Sequence, residues 1–295
     1  MTRVKDGEKC PPRNSANSLR YKTTQHHFVA KVDGIGLAPL RNSMIMKLCY
    51  RQHPPAIANP SKPTMKLDAQ NLHVIYEDNH LLVLNKPANI VTQGAELGKP
   101  SLLGVAKDYI KWKYNKPGNV FLGVVSRLDT RVTGVIVFAR TSKAASRLSE
   151  QFRNRTTEKR YWALVEQAVS PAAGEWTEYI RKEDEGFKVR VLRQPDARSK
   201  LAKLQYETKF VADAGCLLEI QLLTGRKHQI RAQLAAHGRP ILGDKKYGSR
   251  CAFPNGIALH SRRLLIQHPT QNKTLEFVAP TPLAWKNFGV PELDA

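Results

Sequence analysis

The sequence predicts an α+β fold built on a mainly antiparallel, mixed sheet flanked by helices. Three observations carry this. Short strand-like segments outnumber helical ones, they arrive in runs rather than in strict strand–helix alternation, and no repeat of fixed period is present. A doubly wound parallel fold would need the alternation that is missing.

The elements follow in order. Val74-Ile75-Tyr76 and Leu81-Leu82-Val83-Leu84 read as two short strands joined by a turn at Asp78-Asn79-His80. Ser101 is placed to cap a helix through Leu102, Val105, Ala106 and Tyr109. Gly134 to Ala139 is a continuous apolar strand. Thr141-Ser142 then caps a helix with the stripe Ala145, Leu148 and Phe152. Tyr161 to Val165, Phe187 to Leu192, Leu204 to Val211 and Cys216 to Leu223 read as strands. A helix is expected from about Lys227 to His237, stopped by Gly238. Leu264 to His268 and Leu275 to Val278 complete the set.

Residues 66–290 thus form the patterned domain. Residues 1–65 differ from them, with 11 Lys and Arg against 3 Asp and Glu, several prolines and no sustained periodicity. This is the composition of a flexible basic extension. Two other readings compete with it, an organellar transit segment and a misassigned start, since Met44, Met46 and Met65 are in frame.

The whole chain of 295 residues holds 47 Lys and Arg against 25 Asp and Glu, a formal net charge of +22. Such an excess repels itself, so a polyanionic partner is expected: nucleic acid, an anionic membrane surface or an acidic protein. Apolar runs such as Val135 to Ala139 are far too short to span a bilayer, and the polar stretch from Met1 to Ser18 has no secretory apolar core. Four scattered cysteines, Cys10, Cys49, Cys216 and Cys251, make neither a disulfide framework nor a zinc site. A cytoplasmic protein with reduced thiols is the expectation, organellar if the first 65 residues are a transit segment.

Three stretches carry candidate chemistry. In the first, Asp129 lies in a polar loop with Arg127 and Arg131 two residues to either side. Flanking guanidinium groups keep a carboxylate ionised and available as nucleophile or base. From spacing alone, a structural turn aspartate paired to arginine is the simpler reading. In the second, Gly225-Arg226-Lys227-His228-Gln229-Ile230-Arg231 opens a helix on which Lys227 and Arg231, four apart, share a face suited to a carboxylate and phosphates. A solvated basic surface explains this equally well, and His228 alone is more often structural. In the third, Lys159-Arg160-Tyr161-Trp162 sets basic residues beside two aromatics. On a strand Tyr161 and Trp162 point to opposite faces, so at most one enters a site.

Taken together and in order over roughly residues 70–280, these stretches resemble the RluA family of pseudouridine synthases. Asn85-Lys86-Pro87 is similar to the family's early strand-to-loop motif. Arg127-Leu128-Asp129 with Thr133-Gly134 resembles its R-L-D-x-x-T-S-G signature, and Lys159, Tyr161 and Ala163 its K-x-Y-x-A strand. Gly225 to Arg231 resembles G-R-T/S-H-Q-I/L-R, and Pro240 to Gly248 resembles P-I/V-x-G-D-x-x-Y-G. The chain departs from the pattern at Ser126, where the family usually has His, and at Thr133, where Ser is usual. The first 65 residues show no S4 RNA-binding pattern.

The resemblance implies a pseudouridine synthase fold with a central basic catalytic cleft. It implies isomerisation of a uridine in structured RNA, ribosomal or transfer, by Asp129 as catalytic carboxylate. Arg231 would pair with Asp129, and Tyr161 would stack on the base. Arg127 would brace the space the uridine vacates once it leaves its stack, with Arg131, Arg226, Lys227, His228 and Gln229 as further RNA contacts. The reaction is redox-neutral and uses no ATP, so no cofactor, nucleotide or metal is expected, and the enzyme is expected to act as a monomer away from membranes. A non-catalytic RNA-binding or ribosome-assembly protein on the same fold is the alternative.

Overall fold

The computed structural model describes residues 67–184, 188–212 and 215–290. The expectations for residues 1–65 and for Phe187 lie outside the described residues. Among the described residues, no helix is long and apolar enough to cross a membrane.

Eleven strands form one sheet. They are β1 (Val74–Glu77), β2 (Leu81–Lys86), β3 (Gly123–Val124), β4 (Thr133–Ala139), β5 (Glu158–Val165), β6 (Ala173–Lys182), β7 (Val189–Leu192), β8 (Ser199–Ala212), β9 (Gly215–Leu222), β10 (Leu259–Gln267) and β11 (Thr274–Val278). The order is β1-β2-β4-β10-β5-β9-β8-β6-β7, with β11 beside β10 and β3 beside β4. The α+β expectation holds, because strand pairs are antiparallel except β4 with β10. That parallel pair sits where the two halves of the sheet meet, with Thr133 opposite His260 and Gly134 opposite Ser261.

The uninterrupted apolar runs in β2 and β4 arise because both faces of this half are covered. Leu82, Leu84, Ile136 and Phe138 pack under α1 (Leu102–Tyr114). Their neighbours Leu81, Val83, Val135, Val137 and Ala139 face the other way, onto α2 (Ser142–Asn154). Both helices start as their caps predict. The Ser101 side chain accepts the Gly104 amide and Thr141 accepts that of Ala144. The far half has its own core around Trp162, Leu164, Leu218 and Ile220.

Three sequence expectations need correction. Strand β6 was not expected, yet it pairs with β8 over nine residues. Its inward positions run Gly174, Trp176, Glu178, Ile180, and the charge at Glu178 spoils the apolar alternation. Among the described residues that carboxylate is met by distant partners, Gln233 at 3.0 Å and His237 at 2.9 Å. Strands β8 and β10 begin five residues before the expected positions, at Ser199 and Leu259. The third helix, α3 (Gln229–Ala236), starts two residues late. His228 is left-handed with φ 53°, so Lys227 precedes the helix and does not share a helical face with Arg231.

Candidate active site

A cavity of about 450 Å³ opens where the β3–β4 loop, β5 and the start of α3 converge. Asp129 stands in that loop, half-buried, as the single carboxylate among the described residues lining the cavity. Six cations line it with Asp129: Arg127, Arg153, Arg155, Lys159, Arg226 and Arg231. Burial and the neighbouring Arg155 push the Lys159 ammonium down from its ordinary value.

The loop bearing Asp129 is held from several sides. Lys86, with no exposed surface, donates to the carbonyls of Pro87, Thr130 and Val132 at 2.9, 3.1 and 2.8 Å. The Thr92 hydroxyl donates to the Leu128 carbonyl and accepts the Leu128 amide. The Asn89 amide donates to the Thr130 carbonyl at 2.7 Å. Arg131 belongs to this scaffold. Its guanidinium donates to the Gly256 carbonyl at 2.8 Å, and it is not among the cavity-lining residues.

Arg231 reaches Asp129 from α3, with Nη1 donating to Oδ2 at 3.0 Å. The other edge of its guanidinium grips Asp244 in a two-point pair, Nε to Oδ2 at 2.7 Å and Nη2 to Oδ1 at 2.8 Å. The Tyr247 ring lies 5.0 Å from the guanidinium carbon. Burial opposes the charge on Arg231, but the two carboxylates outweigh it and raise the pKa. Asp244 has no exposed surface, so its pairing with Arg231 fixes the guanidinium while leaving one edge for Asp129.

Tyr161 faces the cavity from β5, bonded to Ser261 on the adjacent strand. Burial, aided by the charge of Asp129, pushes its phenol up to about 12, so it stays protonated at neutral pH. Trp162 points the other way, into the core, with its indole N–H on Glu219 at 3.2 Å. The stretch 226–229 divides similarly. Gln229 borders the cavity, but its amide is spent on the protein: Oε1 accepts from Thr224 and the Arg226 amide, and Nε2 donates to the Lys203 carbonyl. Arg226 donates through Nε to the Leu201 carbonyl. Lys227 is exposed and outside the cavity lining, while His228 lies within it.

The cavity therefore brings together Asp129, Tyr161, Arg231, Arg127, Arg226, His228 and Gln229 of the expected residues, and leaves out Arg131 and Lys227. Lys86, Asp244 and Tyr247 lie within the sequence motifs, yet the motifs do not reveal their place in the site. Their partners lie across the fold, where no spacing could show them. Among the described residues no group of three or more His, Cys, Asp or Glu is arranged to hold a metal ion.

Comparison with known proteins gives matching results. A family model described as RNA pseudouridylate synthase matches residues 80–236. The chain is 33% identical over 221 residues to the dual-specificity RNA pseudouridine synthase RluA of Escherichia coli O6:H1, covering 71% of this chain and 93% of that one. It is 31% identical over 218 residues to YhcT of Bacillus subtilis, described as an uncharacterized RNA pseudouridine synthase, covering 74% and 71% of the two chains. The solved structure of human RNA pseudouridylate synthase domain containing 4 superposes with a TM-score of 0.63 at 25% identity, over 75% of this chain and 95% of that one.

Proposed function

Because this chain belongs to the RluA family of RNA pseudouridine synthases, and is an isomerase acting on RNA, we propose that Asp129 is its catalytic carboxylate. The target is a specific uridine in structured RNA, ribosomal or transfer. The observation that carries the reading is the Arg231–Asp129 contact of 3.0 Å beside Tyr161 in one cavity. A guanidinium at that distance holds and orients a carboxylate for attack or proton removal.

The target uridine leaves its stack and enters the cavity, since C1′ and C5 cannot be worked on inside a helix. The N1–C1′ bond breaks, the base turns, and a C5–C1′ bond forms. The proton on C5 is lost and N1 gains one, so atoms and charge balance without an external reagent. Asp129 faces the sugar or base, and Arg231 orients it. Tyr161 stacks on the uracil, its protonated phenol able to give a proton late in the reaction. Arg127, exposed at the rim, braces the gap left in the RNA, while Arg153, Arg155, Lys159 and Arg226 meet phosphates.

Release of tritium from RNA labelled at C5 of uridine tests this. Asp129→Asn is expected to lower release by more than about a thousandfold, the scale on which enzymes lose rate with a nucleophile or base. RNA affinity should stay within about threefold, well under 1.4 kcal/mol. Near-normal release by the Asn variant removes Asp129 from the chemistry.

A further inference from the structure

His228 enters the cavity on a strained backbone. Its φ of 53° is left-handed, a conformation non-glycine residues seldom adopt, and its side chain makes no cap bond to the helix that follows. The ring is held instead by Tyr247, whose hydroxyl lies 2.8 Å from Nδ1 with the two rings edge-on at 5.7 Å. The same oxygen accepts the Val189 amide at 3.2 Å. Among the described residues this leaves the hydroxyl hydrogen one bonded acceptor, the Nδ1 lone pair. That arrangement fits an imidazole whose proton is on Nε2.

That nitrogen is 3.8 Å from Oδ2 of Asp129. The separation is too long for a hydrogen bond, and it is short enough for one oxygen atom to bridge donor and carboxylate. Burial drives the ring down to about 4, with Arg231, Lys246 and Lys227 adding to the shift and Asp129 opposing it. The shift favours the neutral ring at neutral pH.

We propose that Tyr247 is a positioning residue that fixes His228 as an Nε2–H donor, and that this N–H receives an oxygen of the target nucleoside in the gap beside Asp129. The proposal rests on the reading of this cavity as the uridine site. It accounts for the left-handed backbone at His228, which places the ring between Tyr247 and Asp129 rather than over the helix terminus.

Two measurements test it. Nitrogen-15 spectra of histidine-labelled protein without RNA should show His228 protonated on Nε2 and bare on Nδ1 at neutral pH. A proton on Nδ1 overturns the proposal. The second is single-turnover tritium release, with enzyme in excess, from C5-labelled total RNA of cells lacking the gene, alongside filter retention of the same RNA. Asparagine tolerates the left-handed backbone, but its short amide reaches only the Nδ1 position. Glutamine can place an N–H near Nε2.

His228→Asn should therefore slow release by about 10- to 100-fold, the range for losing one hydrogen bond to a reacting group, with RNA retention unchanged. His228→Gln should stay within about fivefold of the native rate, and Tyr247→Phe should slow release with no further loss in the double variant with His228→Asn. Equal losses in the Asn and Gln variants, or additive losses in the double variant, overturn the proposal. The Asp129→Asn control keeps the two claims separate: an active control sinks the uridine-site reading, whereas the nitrogen spectrum reports on Tyr247 and His228 without reference to chemistry.

Discussion

Lys86 has no exposed surface, yet it ends in an ammonium whose three donors meet three carbonyls. Those bonds favour the charge and burial opposes it. The result is a pKa pushed down to about 7, with Asp129 pulling the other way. The sign of the consequence is fixed. An unfolded chain holds this proton to the ordinary value of 10.5, the folded chain only to about 7. Between these values unfolding takes up a proton, so stability contributed at Lys86 rises with pH. The stability difference between the native protein and Lys86→Gln, read from urea midpoints at about pH 6.5 and about pH 9, should shift in favour of the native protein at the higher pH. A difference that does not change with pH would mean that folded Lys86 keeps ordinary proton affinity. The same scale shows what sequence reading misses. Asp244 and Arg231 are 13 residues apart, and nothing in that spacing announces the two-point pair that holds the guanidinium for Asp129.

Elements were legible where one local rule sufficed. Ser101 and Thr141 cap their helices, and the apolar runs in β2 and β4 are strands, because capping and side-chain alternation act within a few residues. Strand β6 escaped because the fit of Glu178 depends on Gln233 and His237, more than fifty residues on. The start of α3 differs from the expected Lys227 because His228 turns left-handed, with its ring on Tyr247, 19 residues on. Gly134 has a requirement that only the structure supplies. Its φ is +110°, and a Cβ there would lie 2.2 Å from the Ser261 carbonyl oxygen. Only glycine lets β4 and β10 approach as a parallel pair at the join of the sheet. Gly134→Ala should destabilise by about 2–4 kcal/mol, in the range of severe steric substitutions, seen as a lower urea midpoint at constant slope. A midpoint within error of native would mean the strands can part without cost.

At the scale of the whole molecule, the excess of positive charge bears on how RNA would be held. The net charge of +22 belongs to the full sequence, and five cations besides Arg231 line the cavity with Asp129. If Arg153, Arg155, Lys159 and Arg226 meet phosphates, the logarithm of RNA affinity should fall with the logarithm of salt at a slope of about −2.8 to −3.6. Filter binding across a salt series measures it, and a slope shallower than about −2 would assign the cavity cations another duty. By itself the sequence determined the α+β class, the helix caps and, through its ordered motifs, the family. Each of these is written in contiguous residues whose local chemistry is read directly. The tertiary structure decided that Arg131 braces the scaffold outside the cavity, that Gln229 is spent internally, and that Lys86, Asp244 and Tyr247 support the site. Those are contacts between segments remote in the chain, and their energies depend on distances and burial that exist only once the sheet has closed.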